Sequence, residues 1–190
     1  MTQSQPAMSS GGSLEFGRTA PDFNLPGVDG GNYSLDDYRG NVKALVVVFF
    51  CNHCPYAIKT QDRLIALGNE YKDRGVGFVL ICANDAEKYP QDSFDNMKKR
   101  AEEKGYPFPY LHNEDQSVAL AYGAKVTPHI YLFDGDMKLR YRGAIDDNID
   151  NPDAVKRHYL RDAIEAILAG TPDKIADPDT KPVGCSIKWK

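Results

Sequence analysis

A chain of 190 residues with 42% hydrophobic residues is long enough to bury a full core and needs no disulfide staple. Its net charge of −4 argues against broad nucleic-acid binding, which goes with a basic excess; Lys98-Lys99-Arg100 reads as a solvated helix face. Four cysteines at uneven spacing are too few for a secreted disulfide scaffold, and no run approaches the ~18 apolar residues of a membrane helix.

The opening stretch, MTQSQPAMSSGGSLEFG, has neither a basic start nor an apolar segment. It reads as a flexible lead-in over 1–18 rather than a secretory signal, and the expected compartment is the cytoplasm. Asn24-Leu25 is extended and is followed by Pro26 to Asn32, where Asp29-Gly30-Gly31 predicts a hairpin closing through Tyr33. Ser34 and Asp37 form a capping box for one helical turn.

The centre of the sequence is Lys43 to Thr60, KALVVVFFCNHCPYAIKT. Ala44 to Phe50 is continuously apolar and predicts a strand buried on both faces. Helical spacing then takes over, with Ile58, Leu64, Ile65, Leu67 and Tyr71 as its apolar positions. Cys51-Asn52-His53-Cys54 therefore lies at a strand-to-helix turn. Unpaired amides and the helix dipole favour a thiolate there, and the spacing lets the two cysteines close a disulfide. In a reducing compartment such a pair is more plausibly catalytic or metal-binding than structural.

Arg74-Gly75 ends that helix, and Val76 to Ala83 predicts a second apolar strand. The two strands and their helix make a right-handed βαβ unit. A helix over Ser93 to Lys104 buries Phe94, Met97 and Ala101 and stops at Gly105. Pro107-Phe108-Pro109 is extended, and a short helix runs over Gln116 to Tyr122. Thr127 to Phe133 reads as a strand with Pro128 at its entry, turned by Asp134-Gly135-Asp136 into Lys138 to Arg142. A last helix is predicted with Asn151 as N-cap, Pro152 at its first position and Gly170 beyond its end. One domain is expected over 19–170, with a C-terminal tail over 171–190.

This order, with Cys-x-x-Cys after the first long strand and Thr127-Pro128 before a hairpin and a closing helix, resembles the thioredoxin fold. Ala20-Pro21-Asp22-Phe23, the Gly-rich hairpin, Ser34-Leu35 and Tyr38-Arg39-Gly40 are similar to the opening of peroxiredoxins and of thioredoxin-like cytochrome-maturation proteins. Together with FFCNHCPY and PVGCSIKW, they resemble a peroxiredoxin-like (AhpC/TSA-type) group that carries a thioredoxin-style Cys-x-x-Cys. The resemblance runs from about Thr19 to Ala169. It implies an α/β fold with a central mixed β-sheet flanked by helices, an N-terminal β-hairpin extension and a C-terminal tail.

The resemblance also implies site roles. Cys51 would be the attacking thiolate, exposed by the turn, and Cys54 the buried resolving thiol. His53 would donate to the Cys51 thiolate and lower its pKa. Thr127 and a cis Pro128 would present a backbone edge to the substrate. His129 reads as a strand residue, and Cys82 as a small buried side chain. Cys185 is a candidate third redox thiol. Asp146 and Asp147 read as loop-capping residues.

The departures narrow the choice. Peroxiredoxin-type peroxidases resemble Pro-x-x-x-Thr-x-x-Cys at the reactive cysteine. Aligning Cys54 puts Cys51 and Val47 at the threonine and proline, and aligning Cys51 puts Val48 and Ala44 there. Leu45 and Phe50 stand where thioredoxin has its buried aspartate and its tryptophan. The first reading is thus a thiol–disulfide oxidoreductase acting on protein or small-molecule disulfides and reset by an external thiol reductant. A thiol peroxidase acting on hydroperoxides, with antioxidant activity, comes second. A metal-binding module through Cys51, His53 and Cys54 comes last. No cofactor, resident metal, nucleic acid or membrane partner is expected.

Overall fold

The computed structural model describes residues 13–190; residues 1–12, the larger part of the expected lead-in, lie outside it. From Gly17 onward the chain is tied down, since Gly17 N–H donates to the Leu139 carbonyl at 3.0 Å. Strands β1 (Asn24–Pro26) and β2 (Asn32–Ser34) form the N-terminal hairpin. Ser34 then caps a short 3-10 turn over Leu35–Asp37, its own N–H donating back to Asp37 at 2.8 Å.

The central sheet is built on β3 (Ala44–Phe49), all six of whose residues are buried. Its side chains point alternately to two faces, and each face has its own apolar cluster. β3 runs parallel to β4 (Val76–Cys82) and antiparallel to β7 (His129–Asp134). The sheet is completed by β5 (Tyr110–His112) beyond β4 and by β8 (Leu139–Gly143) beyond β7, giving the order β5-β4-β3-β7-β8. This mixed five-stranded sheet with helices packed on it is the thioredoxin-like fold.

Helix α1 (Pro55–Tyr71) follows the cysteines directly. Its inner face is set by Ala57, Leu64 and Tyr71, seven residues apart and fully buried, which turns Ile58 outward to 42% exposure. Truncating Leu64 to alanine at such a site costs about 2–5 kcal/mol. Helix α2 (Phe94–Lys104) is capped by the Ser93 hydroxyl and stopped by Gly105, whose φ of 62° suits glycine. Helix α3 (Ser117–Tyr122) is short.

The last helix differs from its prediction. Asn151 and Pro152 start only a 3-10 turn, and α4 begins at Tyr159 and runs to Leu168. Asp147 is the reason: its carboxylate accepts from Lys156 N–H at 2.9 Å, and its own N–H donates to the Arg157 carbonyl. These bonds hold residues 155–157 away from a helical path. Leu160, Ala163 and Ile164 form its buried face.

Between α3 and β7, the two-residue strand β6 (Val126–Thr127) precedes a cis Thr127–Pro128 peptide. The tail returns across the molecule, and β9 (Cys185–Ser186) pairs antiparallel with β6.

Candidate active site

Both cysteines sit in the turn between β3 and α1, with Cys54 as the N-cap residue of α1 and Pro55 at its first position. Proline costs nothing there, because that N–H lacks a helical partner in any case. Cys51 Sγ accepts from Cys54 N–H at 3.4 Å and lies 3.2 Å from Thr127 Oγ1. Cys54 Sγ–H donates to the Thr127 carbonyl at 3.2 Å. Thr127 thus touches both sulfurs, although 76 and 73 residues separate it from the two cysteines in sequence. All four cysteines are free thiols. Cys51, expected to be exposed by the turn, is fully covered, as is Cys54.

The two thiols titrate as a unit. Contact with Cys54, burial and the Asp92 carboxylate push Cys51 up, against the Thr127 hydroxyl and the Cys54 amide. Contact with Cys51 holds Cys54 down, helped by the Cys185 thiol and amide and by the Ala57 amide, which faces the sulfur without capping it. The first proton of the pair therefore leaves easily and the second with difficulty, so one proton is shared over a wide pH range.

His53 is oriented by a residue that nothing in the sequence singled out. Its Nδ1–H donates to Asp92 Oδ2 at 2.5 Å, and its ring stacks on Tyr89 at 5.5 Å with 8° between the planes. Asp92 is fully buried, and it also accepts from Asn52 N–H at 2.7 Å and from Asn84 Nδ2 at 2.9 Å. Asn52 is tied further by the Tyr110 hydroxyl and by Arg100. The expected donation from His53 to a Cys51 thiolate is not made: the His53 Nδ1–H goes to Asp92, and the charge that reaches Cys51 is the Asp92 carboxylate, which pushes the thiol up rather than down. Asp92 lies 39 residues from His53, at the end of a short 3-10 turn over Pro90–Asp92, so no local pattern could have marked it.

Cys51 Sγ, a His53 ring nitrogen and an Asp92 oxygen lie within 4.8 Å of one another. Helix geometry at Cys-x-x-Cys predicts His53 pointing away from a shared centre, whereas the Asp92 anchor turns it inward. A closed zinc site takes four ligands, and both Asp92 oxygens are already engaged by three donors.

The remaining candidates are placed as follows. Cys82 is fully buried in β4, and burial pushes its thiol up to about 12. His129 lies in β7, where its Nδ1 accepts from Lys125 N–H at 3.3 Å. Burial and the cations Arg142 and Lys125 lower it to about 4. Asp146 accepts from Arg63 and from Asn148 N–H, a loop-capping arrangement. Cys185 packs against the cluster that contains Cys51 and Cys54. No helix among the described residues is long and apolar enough to cross a membrane.

Comparison with known proteins agrees with this architecture. An uncharacterized conserved protein from Geobacillus kaustophilus, known from its crystal structure, is 46% identical. The match covers 99% of this chain and 98% of that one, with a TM-score of 0.87. Thiol-disulfide oxidoreductase ResA of Geobacillus thermodenitrificans is 28% identical over 128 residues, 67% of this chain and 68% of its own. A Mycobacterium tuberculosis protein named "Putative peroxiredoxin Rv2521" is 30% identical over 118 residues, 62% of this chain and 69% of its own. The model of the AhpC/TSA family matches residues 16–142, two thirds of the chain. With its thioredoxin-like sheet and N-terminal hairpin, the protein belongs to the AhpC/TSA family, in the thioredoxin-like, peroxiredoxin-like group.

Proposed function

We propose that this protein is a thiol–disulfide oxidoreductase whose working pair is Cys51 and Cys54. The observation that carries the reading is the convergence of both sulfurs on Thr127 at the start of a helix. Cys51 attacks one sulfur of a substrate disulfide as its proton passes to Cys54. A mixed disulfide forms on Cys51, and the other half of the substrate leaves as a thiolate. Cys54 then gives up its proton and attacks the Cys51 sulfur, releasing the second substrate thiol and leaving a Cys51–Cys54 disulfide. An external thiol reductant returns the pair to the dithiol.

Thr127 and Pro128 present the backbone edge along which a substrate chain pairs once strand β9 has left it. The Thr127 hydroxyl, aimed at Cys51, stabilises its sulfur as charge develops there. His53 and Asp92 hold the turn that carries Cys51. The substrates are protein or small-molecule disulfides.

The test is single-turnover reduction of a model disulfide by the reduced protein. Cys54→Ser should trap the mixed disulfide on Cys51, and Cys51→Ser should lose turnover. Undiminished turnover in Cys51→Ser sinks the reading. The peroxiredoxin-named relative favours a second reading as a thiol peroxidase. Rapid hydroperoxide consumption that needs either cysteine would promote it.

A further inference from the structure

The tail is placed with respect to the two thiols in a way that their exchange does not require. In the antiparallel register of β6 and β9, the partner of Thr127 is Cys185. Thr127 is the residue that contacts both Cys51 and Cys54, so the third thiol lies directly across from the hub of the site. The approach is close enough to demand glycine at position 184. A Cβ there would lie 2.3 Å from the Thr127 carbonyl oxygen and 2.7 Å from its carbon.

The tail is anchored just C-terminal to this contact. Ile187 is buried and its N–H donates to the Lys125 carbonyl at 2.9 Å. Lys188 N–H donates to Asn84 Oδ1 at 2.9 Å, and its carbonyl accepts from Asp85 N–H and from Gln116 Nε2. Asn84 is also bonded to Asp92, so the tail joins the network that holds the Cys51 turn.

We propose that Cys185 is an internal exchange partner of Cys54, carried on a strand that occupies the edge assigned above to the substrate. In the oxidised protein the Cys185 thiolate attacks the Cys54 sulfur of the Cys51–Cys54 disulfide. A Cys54–Cys185 bond forms, the Cys51–Cys54 bond breaks, and Cys51 leaves as the thiolate. The proton from Cys185 goes to solvent or to Cys51. No net oxidation occurs, because one disulfide replaces another. The product ties residues 184–188 covalently over Thr127, so a substrate strand cannot pair there until a thiol reductant opens the bond. This gives the site a closed, redox-controlled form. The proposal rests on Cys51 and Cys54 being the working pair, and its test is independent of theirs.

The experiment is oxidation of Cys51→Ser with oxidised glutathione, followed by acid quench, alkylation and peptide mapping. Glutathione enters as a mixed disulfide on Cys54 or Cys185, and the other thiol displaces it. The expected product is an intramolecular Cys54–Cys185 disulfide, formed at a rate independent of protein concentration, with no glutathione retained. A stable glutathione adduct, unreacted thiols, or only intermolecular dimers would overturn the proposal. Peptide mapping of the wild-type protein in graded glutathione buffers covers the case in which the variant does not fold. The Cys54–Cys185 peptide must appear alongside Cys51–Cys54, and its absence at every ratio is decisive against the proposal. Failure of Cys51–Cys54 to form in the same samples would instead count against the working pair.

Discussion

Replacing Gly184 with alanine should open the site without touching a sulfur. The added Cβ falls 2.3 Å from the Thr127 carbonyl oxygen and 3.2 Å from Pro128 N, against ordinary contacts that begin at 3.4 Å. Strand β9 must therefore retreat by about 1 Å, the overpacking regime that costs about 1–3 kcal/mol. The strain exists only while the tail is docked, so it shifts the docked-to-open equilibrium by the same amount. At 1.36 kcal/mol per factor of ten, the open population rises about 5- to 150-fold. The assay is iodoacetamide alkylation at pH 7, with the modified cysteine assigned by mass spectrometry and the fold checked by circular dichroism. Cys51 and Cys54 should react faster by that factor, while Cys82, fully buried in β4, stays unreactive. A folded Gly184→Ala protein that alkylates at the wild-type rate would refute the idea that the tail is what covers the pair.

Other consequences can be measured directly. Asp92→Ala leaves the His53 ring, the Asn52 amide and the Asn84 side chain without their shared acceptor. The expected loss is about 3 kcal/mol, or roughly 6–12 °C in melting temperature for a chain of this size; an unchanged melt would show the network to be incidental. Buried His129 is lowered to about 4 from an ordinary 6.5. The unfolded chain therefore binds the extra proton between those values, and stability present above pH 6.5 is lost as pH falls towards 4. The loss amounts to up to about 3 kcal/mol. Denaturant titrations across that range should show a shallower slope in His129→Gln, and an identical slope would contradict the assignment. The shared proton predicts that the Cys51–Cys54 pair carries one thiolate below pH 7. Absorbance at 240 nm should report it in wild type and lose it in Cys51→Ala/Cys54→Ala, and no thiolate signal at pH 6 would count against the coupling.

The framework was legible in the sequence because its signals are local. The apolar run of β3, the change to helical spacing after Cys54, and the Gly105 stop of α2 each depend on a few adjacent residues. Local signals misled at Asn151-Pro152, a good helix start that distant bonds from Asp147 outcompete. They misled again on α1, whose rotation follows the Ala57, Leu64 and Tyr71 contacts and leaves Ile58 outside. Strand β5 went unread because three residues after Pro109 carry no periodicity of their own. In the site, the two cysteines were visible from their spacing. Asp92 became a neighbour of His53 only through the fold, and the placement of Cys185 across from Thr127 depends on a tail pairing that no nearby residue announces.

The most direct test of the central claim is peptide mapping of the wild-type protein equilibrated in glutathione buffers of graded ratio. If exchange between neighbouring thiols is what this turn is built for, a Cys51–Cys54 disulfide forms and opens reversibly with the glutathione ratio, and every intramolecular disulfide recovered contains Cys54. If both instead remain thiols, or each accumulates its own glutathione while the other stays free, the account of a working pair is wrong.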